Sequence, residues 1–190
     1  GGTLFTSETD FDPALCYQKI QSRQVTVLCA DQADVKMLAR GGDDMPGHFD
    51  LSSLRHLVSV DGRLAAETVG WSERVLGTPV HDSWCEPETG ASILANLPTM
   101  EIKPGSSGSP LPGIGVAILD GAYNPVPSGV QGMLAVSPGW PSMFCAYWNA
   151  TELYNTRFRK GWYITGQQAR IDDDGYVWLT ADSLKPRSPP

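Results

Sequence analysis

Carboxylates, a hydroxyl and a glycine lie close together in the segment Asp82-Ser83-Trp84-Cys85-Glu86-Pro87-Glu88-Thr89-Gly90. Carboxylate oxygen is a ligand that Mg²⁺ prefers, and a threonine hydroxyl can donate a hydrogen bond to a phosphoryl oxygen. Glycine lets the backbone approach such a ligand because it has no Cβ atom. The segment therefore predicts a site for a magnesium-bound phosphate, although many loops that follow strands carry these residue types without any ligand.

The elements that would position this segment follow the pattern of an α/β unit. Before residue 100, apolar runs alternate with helix-like stretches, which is typical of a parallel sheet with helical connections. We predict strands at 25–28, 57–60 and 75–80, and helices at 13–23 and 33–40. The candidate segment then follows directly on the third strand.

The second half of the chain has a different pattern. Short β-rich runs are separated by Gly and Pro turns, which predicts a small barrel or sandwich. These runs are 115–119, 132–136, 162–164, 169–171 and 176–179.

Asp173-Asp174-Gly175 stands between two of these runs and predicts a hairpin turn. A calcium-binding loop is the alternative reading of the same acids. It is disfavoured because Ser183 stands where the twelfth loop position requires a bidentate glutamate.

Composition excludes several classes of protein. The 190 residues are 41% hydrophobic, enough to bury a core, and carry a net charge of −7. Only 14 residues are Lys or Arg, which argues against nonspecific nucleic-acid binding. No apolar run reaches the roughly 20 residues of a membrane span, so we expect a soluble, cytoplasmic protein. The four cysteines show neither CxxC spacing nor nearby His ligands, and we expect reduced thiols rather than zinc or disulfides.

Other segments accompany the first one along the chain. They are, in order, Gly1-Gly2-Thr3-Leu4-Phe5, Phe49-Asp50-Leu51-Ser52-Ser53-Leu54-Arg55, Lys103-Pro104-Gly105-Ser106, Gly129-Val130-Gln131-Gly132-Met133-Leu134, Trp140-Pro141, Gly161-Trp162-Tyr163-Ile164-Thr165-Gly166 and Ala169-Arg170-Ile171-Asp172-Asp173-Asp174-Gly175-Tyr176. With these blocks at these spacings, the chain resembles the AMP-forming acyl-CoA synthetases, particularly the acetyl-CoA synthetase branch of the adenylate-forming superfamily.

The resemblance implies an α/β fold, part of the large domain of these proteins. Residues 1–100 would be a portion of the parallel-sheet, nucleotide-binding subdomain, beginning with a strand at 1–5. Residues 101–182 would form the distorted β-barrel subdomain, and 183–190 a linker or tail.

The resemblance also implies a two-step reaction. A carboxylate attacks the α-phosphate of ATP to give an acyl-adenylate and pyrophosphate, and the CoA thiol then displaces AMP. By motif position Glu88 would bind Mg²⁺, while Asp82, Ser83 and Trp84 would line the adenine. Thr89 and Arg170 would lie on the phosphate or CoA side. Without the resemblance, Trp84 reads as a core residue and Arg170 as a solvated strand residue.

Several positions depart from the family pattern. Gln167 replaces the aspartate that accepts hydrogen bonds from the ribose hydroxyls, and an amide carries no charge. Cys85 replaces the second Trp, which closes the acyl pocket, so we expect an acid larger than acetate. Pro87 replaces a Thr, the Gly-Glu-Pro turn is Asp61-Gly62-Arg63, and Ala181-Asp182-Ser183-Leu184-Lys185 stands where the family has Gly-Arg-x-Asp-Asp. These changes put the retention of ATP or AMP, Mg²⁺ and CoA binding in doubt.

The phosphate loop ending in lysine and the lid that carries the adenylating lysine have no counterpart in these 190 residues. Each missing donor is worth about two to three orders of magnitude in rate. We therefore expect a fragment of a synthetase, inactive alone, whose partners are the missing parts of the parent protein.

Two other function classes are open. The chain can be a degenerate docking or structural module, because a fold does not fix a function. A hydrolase is disfavoured because Gly105-Ser106-Ser107-Gly108-Ser109 does not form a G-x-S-x-G elbow, and His48, His56 and His81 lie in no catalytic motif.

Overall fold

Two sheets make up the part of the chain that the computed structural model describes, which is residues 1–7, 9–60 and 63–180. Helices α1 to α4 span Pro13–Arg23, Gln32–Arg40, Ala66–Leu76 and Thr151–Thr156, and a 3-10 helix spans Met45–His48. Strands β1 to β10 span Val27–Asp31, His56–Val60, Val80–Trp84, Leu94–Ala95, Ser109–Pro110, Val116–Leu119, Gly132–Val136, Phe158–Arg159, Trp162–Ile171 and Val177–Leu179.

The first two helices begin where aspartate side chains cap them. The Asp12 carboxylate accepts a hydrogen bond from the Leu15 amide at 2.7 Å, and Pro13 supplies the fixed φ of a first helical turn. Asp31 caps α2 through the Asp34 amide in the same way, also at 2.7 Å. Each cap satisfies an amide that the helix itself cannot pair.

Parallel pairing joins the first three strands. The first sheet has the order β1-β2-β3-β4-β5, in which β1, β2 and β3 are parallel and β4 and β5 are antiparallel additions. Helices α2 and α3 connect the parallel strands. The carboxyl ends of β2 and β3 therefore lie at one edge of the sheet, where α/β proteins bind ligands. This sheet confirms the predicted α/β class.

The second sheet is antiparallel, with the order β10-β9-β7-β6, and β8 pairs with the other end of β9. Strand β9 is long and replaces the two short runs predicted at 162–164 and 169–171. Its pairing with β7 shifts register between Met133 and Ala135, which curls the sheet. The predicted hairpin turn at Asp173-Asp174-Gly175 is confirmed, because it joins β9 to β10.

A shared core connects the two sheets. Trp84, at the end of β3, is buried in the same apolar cluster as Leu134 of β7 and Tyr163 of β9. Ile93 and Leu94 join this cluster from the chain around β4. The segment after β3 therefore enters the second sheet's core rather than open solvent.

Three strand predictions are wrong in position. The run at 75–80 is not a strand, because Val75 and Leu76 end helix α3, where they pack against Trp71, and β3 begins only at Val80. The strand predicted at 25–28 begins instead at Val27, because Gln24 is left-handed and the Val25 amide bonds back to the Ile20 carbonyl of α1.

The predicted strand at 1–5 is also wrong. Residues 1–7 form no strand and are exposed, and Leu4 is 88% exposed. Among the described strands, β1 pairs only with β2, so no neighbour holds this segment in a sheet.

The division into domains near residue 100 stays a prediction, and β5 beyond that point pairs into the first sheet. The predicted tail at 183–190, the stretch 181–185, and Asp61 and Gly62 lie outside the described residues. No helix among those described is long and apolar enough to cross a membrane.

Candidate functional site

The loop of residues 85–90, here called the Glu88 loop, leaves the carboxyl end of β3 and turns back at once. Thr89 forms the turn: its hydroxyl lies 2.8 Å from both the Glu86 and Ala91 carbonyls and accepts from the Glu86 amide at 3.0 Å. The Thr89 side chain is fully buried. The predicted phosphate-binding hydroxyl is therefore engaged inside the loop that it shapes.

Gly90 lets this loop touch the second half of the chain. Its φ of +65° is a left-handed conformation, and a Cβ atom placed on it would lie 1.9 Å from the Ser142 carbonyl oxygen. No side chain fits in that space. The predicted close backbone approach is thus present, and it is made to protein.

A clamp segment, residues 140–147, holds the Glu88 loop through its backbone. The indole N–H of Trp140 and the hydroxyl of Ser142 both donate to the Thr89 carbonyl, at 2.9 and 3.0 Å. The Phe144 amide donates to the Glu88 carbonyl at 2.9 Å. Carbonyl groups of the loop are therefore satisfied by the clamp segment rather than by regular structure.

The side chain of Glu88 is held by the same segment. The Tyr147 hydroxyl donates to Glu88 Oε1 at 2.6 Å, and Arg157 Nε donates to the Tyr147 hydroxyl oxygen at 3.2 Å. Burial, together with the bond to Glu88, raises the pKa of Tyr147 to about 12, so the phenol keeps its proton. This bond takes one of the two carboxylate oxygens of Glu88.

Glu86 lies on the inner side of the loop. The Tyr163 hydroxyl donates to Glu86 Oε2 at 2.9 Å. Burial raises the pKa of Glu86 to about 7, and the bond from Tyr163 opposes that rise. A side-chain hydrogen bond joins Gln167 to Glu86, while Gln167 Oε1 is buried without a partner among the described residues. The Gln167 amide therefore faces the acid of the loop.

The three residues predicted to line adenine lie in β3 itself. Trp84 is 3% exposed and belongs to the core, and the Ser83 hydroxyl donates to Ser92 at 2.6 Å. Asp82 is 2% exposed, and neither carboxyl oxygen has a hydrogen bond of good geometry within the described part of the chain. Burial raises the pKa of Asp82 to about 7, and the nearby Leu64 amide partly opposes this rise.

Arg170 lies away from the Glu88 loop, whereas Cys85 lies at its start. The Arg170 guanidinium lies 5.0 Å from the ring of Trp178, in the β9–β10 hairpin rather than on the Glu88 loop. In the same hairpin, Asp172 accepts from Trp178 and pairs with Lys103 at 3.0 Å. Cys85 is half-buried at the start of the Glu88 loop.

The donor set fits magnesium only in company with phosphate. No group of three or more His, Cys, Asp or Glu side chains within residues 1–7, 9–60 and 63–180 is arranged to hold a metal ion alone. Mg²⁺ is commonly bound by one or two carboxylates together with substrate phosphates and water. A single carboxylate at Glu88 suits that mode.

Sequence reasoning missed four residues of this site: Glu86, Tyr147, Arg157 and Tyr163. Glu86 was visible inside the motif, but its burial was not. The tyrosines are 59 and 77 residues from their acids along the chain, and no local pattern marks such contacts.

Comparisons with known proteins match most of this chain. The family model described as AMP-binding enzyme matches residues 1–148. An acetyl-coenzyme A synthetase of Bacillus subtilis strain 168 is 40% identical over 170 residues, which cover 89% of this chain and 30% of that protein. One of Streptomyces coelicolor is 39% identical over 171 residues, covering 86% and 26%. The chain thus spans less than a third of these relatives' length.

Solved structures give the same result. The anthranilate CoA ligase AuaEII in complex with anthranoyl-AMP superposes with a TM-score of 0.79 at 26% identity, covering 88% of this chain and 31% of that one. ATP-bound MatB from Rhodopseudomonas palustris superposes with a TM-score of 0.76 at 28% identity, covering 89% and 33%.

Proposed function

Because the chain belongs to the AMP-binding enzyme family, we propose that it forms the adenosine- and magnesium-binding part of an AMP-forming acyl-CoA synthetase-like protein. It corresponds to a piece of such a domain, since it spans 26–30% of its acetyl-CoA synthetase relatives. The complete protein would join a carboxylic acid to CoA through an acyl-adenylate, with ATP as the nucleotide.

The observation that carries this proposal is the placement of Glu88. It follows a parallel strand at the carboxyl edge of the first sheet, and its side chain is fixed by Tyr147 at 2.6 Å. In our proposal Glu88 binds Mg²⁺ on the nucleotide phosphates. The backbone of Asp82, Ser83 and Trp84 lines the adenine, since their side chains are buried.

The remaining roles are proposed from motif position. Gln167 would meet the ribose only by exchanging its bond to Glu86, and its amide gives a weaker contact than a carboxylate would. Thr89 contributes to the phosphate side through the shape of the loop, because its hydroxyl is already engaged. Arg170 lies on the phosphate or CoA side of the complete protein. Cytoplasmic location stays a prediction.

Nucleotide titration tests the proposal. We expect this chain to bind Mg·ATP with a dissociation constant in the millimolar range, equivalent to about 4 kcal/mol. Calorimetry or ligand-observed NMR measures it, and Glu88→Gln should weaken Mg·ATP without weakening metal-free AMP. No binding of either nucleotide at millimolar concentration would refute the proposal.

Turnover by this chain alone is not expected. Adenylation requires positive donors around the α-phosphate, and each one is worth about two to three orders of magnitude in rate. We expect no ATP–pyrophosphate exchange with short or medium carboxylic acids. Exchange above the no-protein control that disappears in Glu88→Gln would contradict this expectation.

Cys85 sets the acid size in our proposal. A cysteine is far smaller than a tryptophan, so the complete protein would prefer acids larger than acetate. Each buried methylene is worth about 0.8 kcal/mol, which packing losses reduce. In the complete protein, Cys85→Trp should shift preference from hexanoate and butyrate toward acetate. An unchanged acid profile would show that Cys85 does not line the acyl pocket.

A docking or structural module is the second candidate. Trp148 is 92% exposed directly beside the clamp segment, and large exposed aromatics are typical of interfaces. Gln167 carries no charge for the ribose. Failure of nucleotide binding in the titration above would favour this candidate.

A further inference from the structure

A directed chain of donors ends on Glu88. Tyr147 Oη donates a hydrogen bond to Glu88 Oε1 at 2.6 Å, and the Tyr147 hydroxyl oxygen accepts one from Arg157 Nε at 3.2 Å. Arg157 can only donate, and the phenol then donates onward. Every hydrogen bond in the chain therefore points toward the carboxylate.

Both donors are fixed by packing that does not involve the Glu88 side chain. The Tyr147 ring lies 5.0 Å from the Phe144 ring, which also contacts Tyr154, Phe158 and Tyr163. The Arg157 carbonyl accepts from the Ile164 amide of β9 at 2.8 Å. The aromatic cluster and the edge of the second sheet thus hold the donors in place.

From these contacts we propose that Tyr147 and Arg157 are positioning residues, which hold the Glu88 carboxylate with one oxygen bound and the other directed to the metal of a bound Mg·nucleotide. The inference rests on the proposed function. It adds two residues, 59 and 69 positions from Glu88 in sequence, for which no local motif exists.

The physical effect is restriction of the Glu88 side chain. A free glutamate loses side-chain entropy when it binds a metal, and a hydrogen bond made beforehand reduces that loss. Hydrogen bonds to metal-binding carboxylates are typically worth 10–100-fold in metal affinity. The bond from a neutral phenol restricts the carboxylate without removing its charge.

Tyr147→Phe isolates this effect, because it keeps the ring against Phe144 and removes only the hydroxyl. We expect it to weaken Mg²⁺-dependent ATP binding by about tenfold or more. Metal-free AMP should bind as in the unchanged chain, because AMP does not require the carboxylate. Arg157→Met should cause a smaller loss in the same direction. Tyr154→Phe is the matched control from the same cluster and should change neither affinity.

Calorimetric titration of the chain with ATP, with and without Mg²⁺, and with AMP distinguishes the outcomes. If Tyr147→Phe leaves the Mg·ATP affinity unchanged, or weakens the AMP affinity equally, the positioning role is overturned while the proposed function stands. If the unchanged chain binds no nucleotide, or binds ATP equally with and without Mg²⁺, both the positioning role and the proposed function are overturned. A selective loss for Mg·ATP in Tyr147→Phe, absent in Tyr154→Phe, supports the inference.

Discussion

Asp82 is an acid whose ionisation opposes folding, because its carboxyl group is sealed inside the first sheet. Its pKa is about 7 in the folded chain against an ordinary 3.8. The stabilisation given by the neutral form is therefore complete below pH 3.8 and is lost as the pH rises through 7. Asp82→Asn cannot ionise. As the pH rises from 4 to 8, the free energy of unfolding of the unchanged chain should therefore fall relative to that of the Asp82→Asn variant, by up to about 4 kcal/mol.

Urea denaturation of both proteins at pH 4.5, 6 and 8 measures this difference. Other titrating groups cancel, since both chains contain them. Parallel stability curves over this range would show that Asp82 is ionised in the folded protein.

At the same scale, single residues show how far sequence reasoning reaches. Glu88 could be named as a candidate from its motif, because neighbours in the chain define the motif. The burial that raises the pKa of Asp82 and Glu86 could not, because other elements provide it. Thr89 shows the same limit: its hydroxyl suits a phosphate in sequence, yet it bonds its own loop in the structure.

Among elements, the Glu88 loop depends on one glycine. Gly90→Ala would place a Cβ atom against the Ser142 carbonyl and strain a left-handed φ. We expect a loss of about 2–4 kcal/mol in the free energy of unfolding. Thermal or urea unfolding measures it.

Gly70 is the matched control for that substitution. It is an exposed residue inside helix α3, and a Cβ atom there would meet nothing within 4 Å. Gly70→Ala should stabilise the protein by about 0.5–1 kcal/mol, because alanine favours a helix interior. Equal effects of the two substitutions would mean that the contact between Gly90 and Ser142 does not hold the loop.

Sequence signals located elements where those signals are local. The helix-like stretch predicted at 13–23 matches α1, and the turn at 173–175 marks the β9–β10 hairpin. The apolar pair Val75-Leu76 led to the wrong prediction of a strand at 75–80, because a helix face and a strand give the same short apolar run. Pairing of β5 into the first sheet has no local signal at all.

For the molecule as a whole, the shared core predicts one unfolding transition. Trp84 of the first sheet packs in the cluster of Leu134 and Tyr163, so the two sheets share one of the buried clusters. Leu57→Ala in the first sheet and Leu134→Ala in the second should each lower the free energy of unfolding by about 2–5 kcal/mol. Both substitutions should shift the midpoint of the same single transition. Far-ultraviolet circular dichroism and tryptophan fluorescence should coincide. Two separated transitions would show that the sheets fold as independent units.

The clamp on the Glu88 loop also sets an order of events during synthesis on the ribosome. Glu86 emerges 77 residues before Tyr163, the residue that holds it. At about 5–20 residues per second, this interval lasts about 4–15 s. Until residues 140–147 and β9 have emerged, strands β1 to β3 can pair while the loop lacks its clamp segment and Trp84 lacks its contact with Tyr163. A nascent chain stalled before residue 140 should therefore expose this loop to protease, and one that has released residue 163 should protect it.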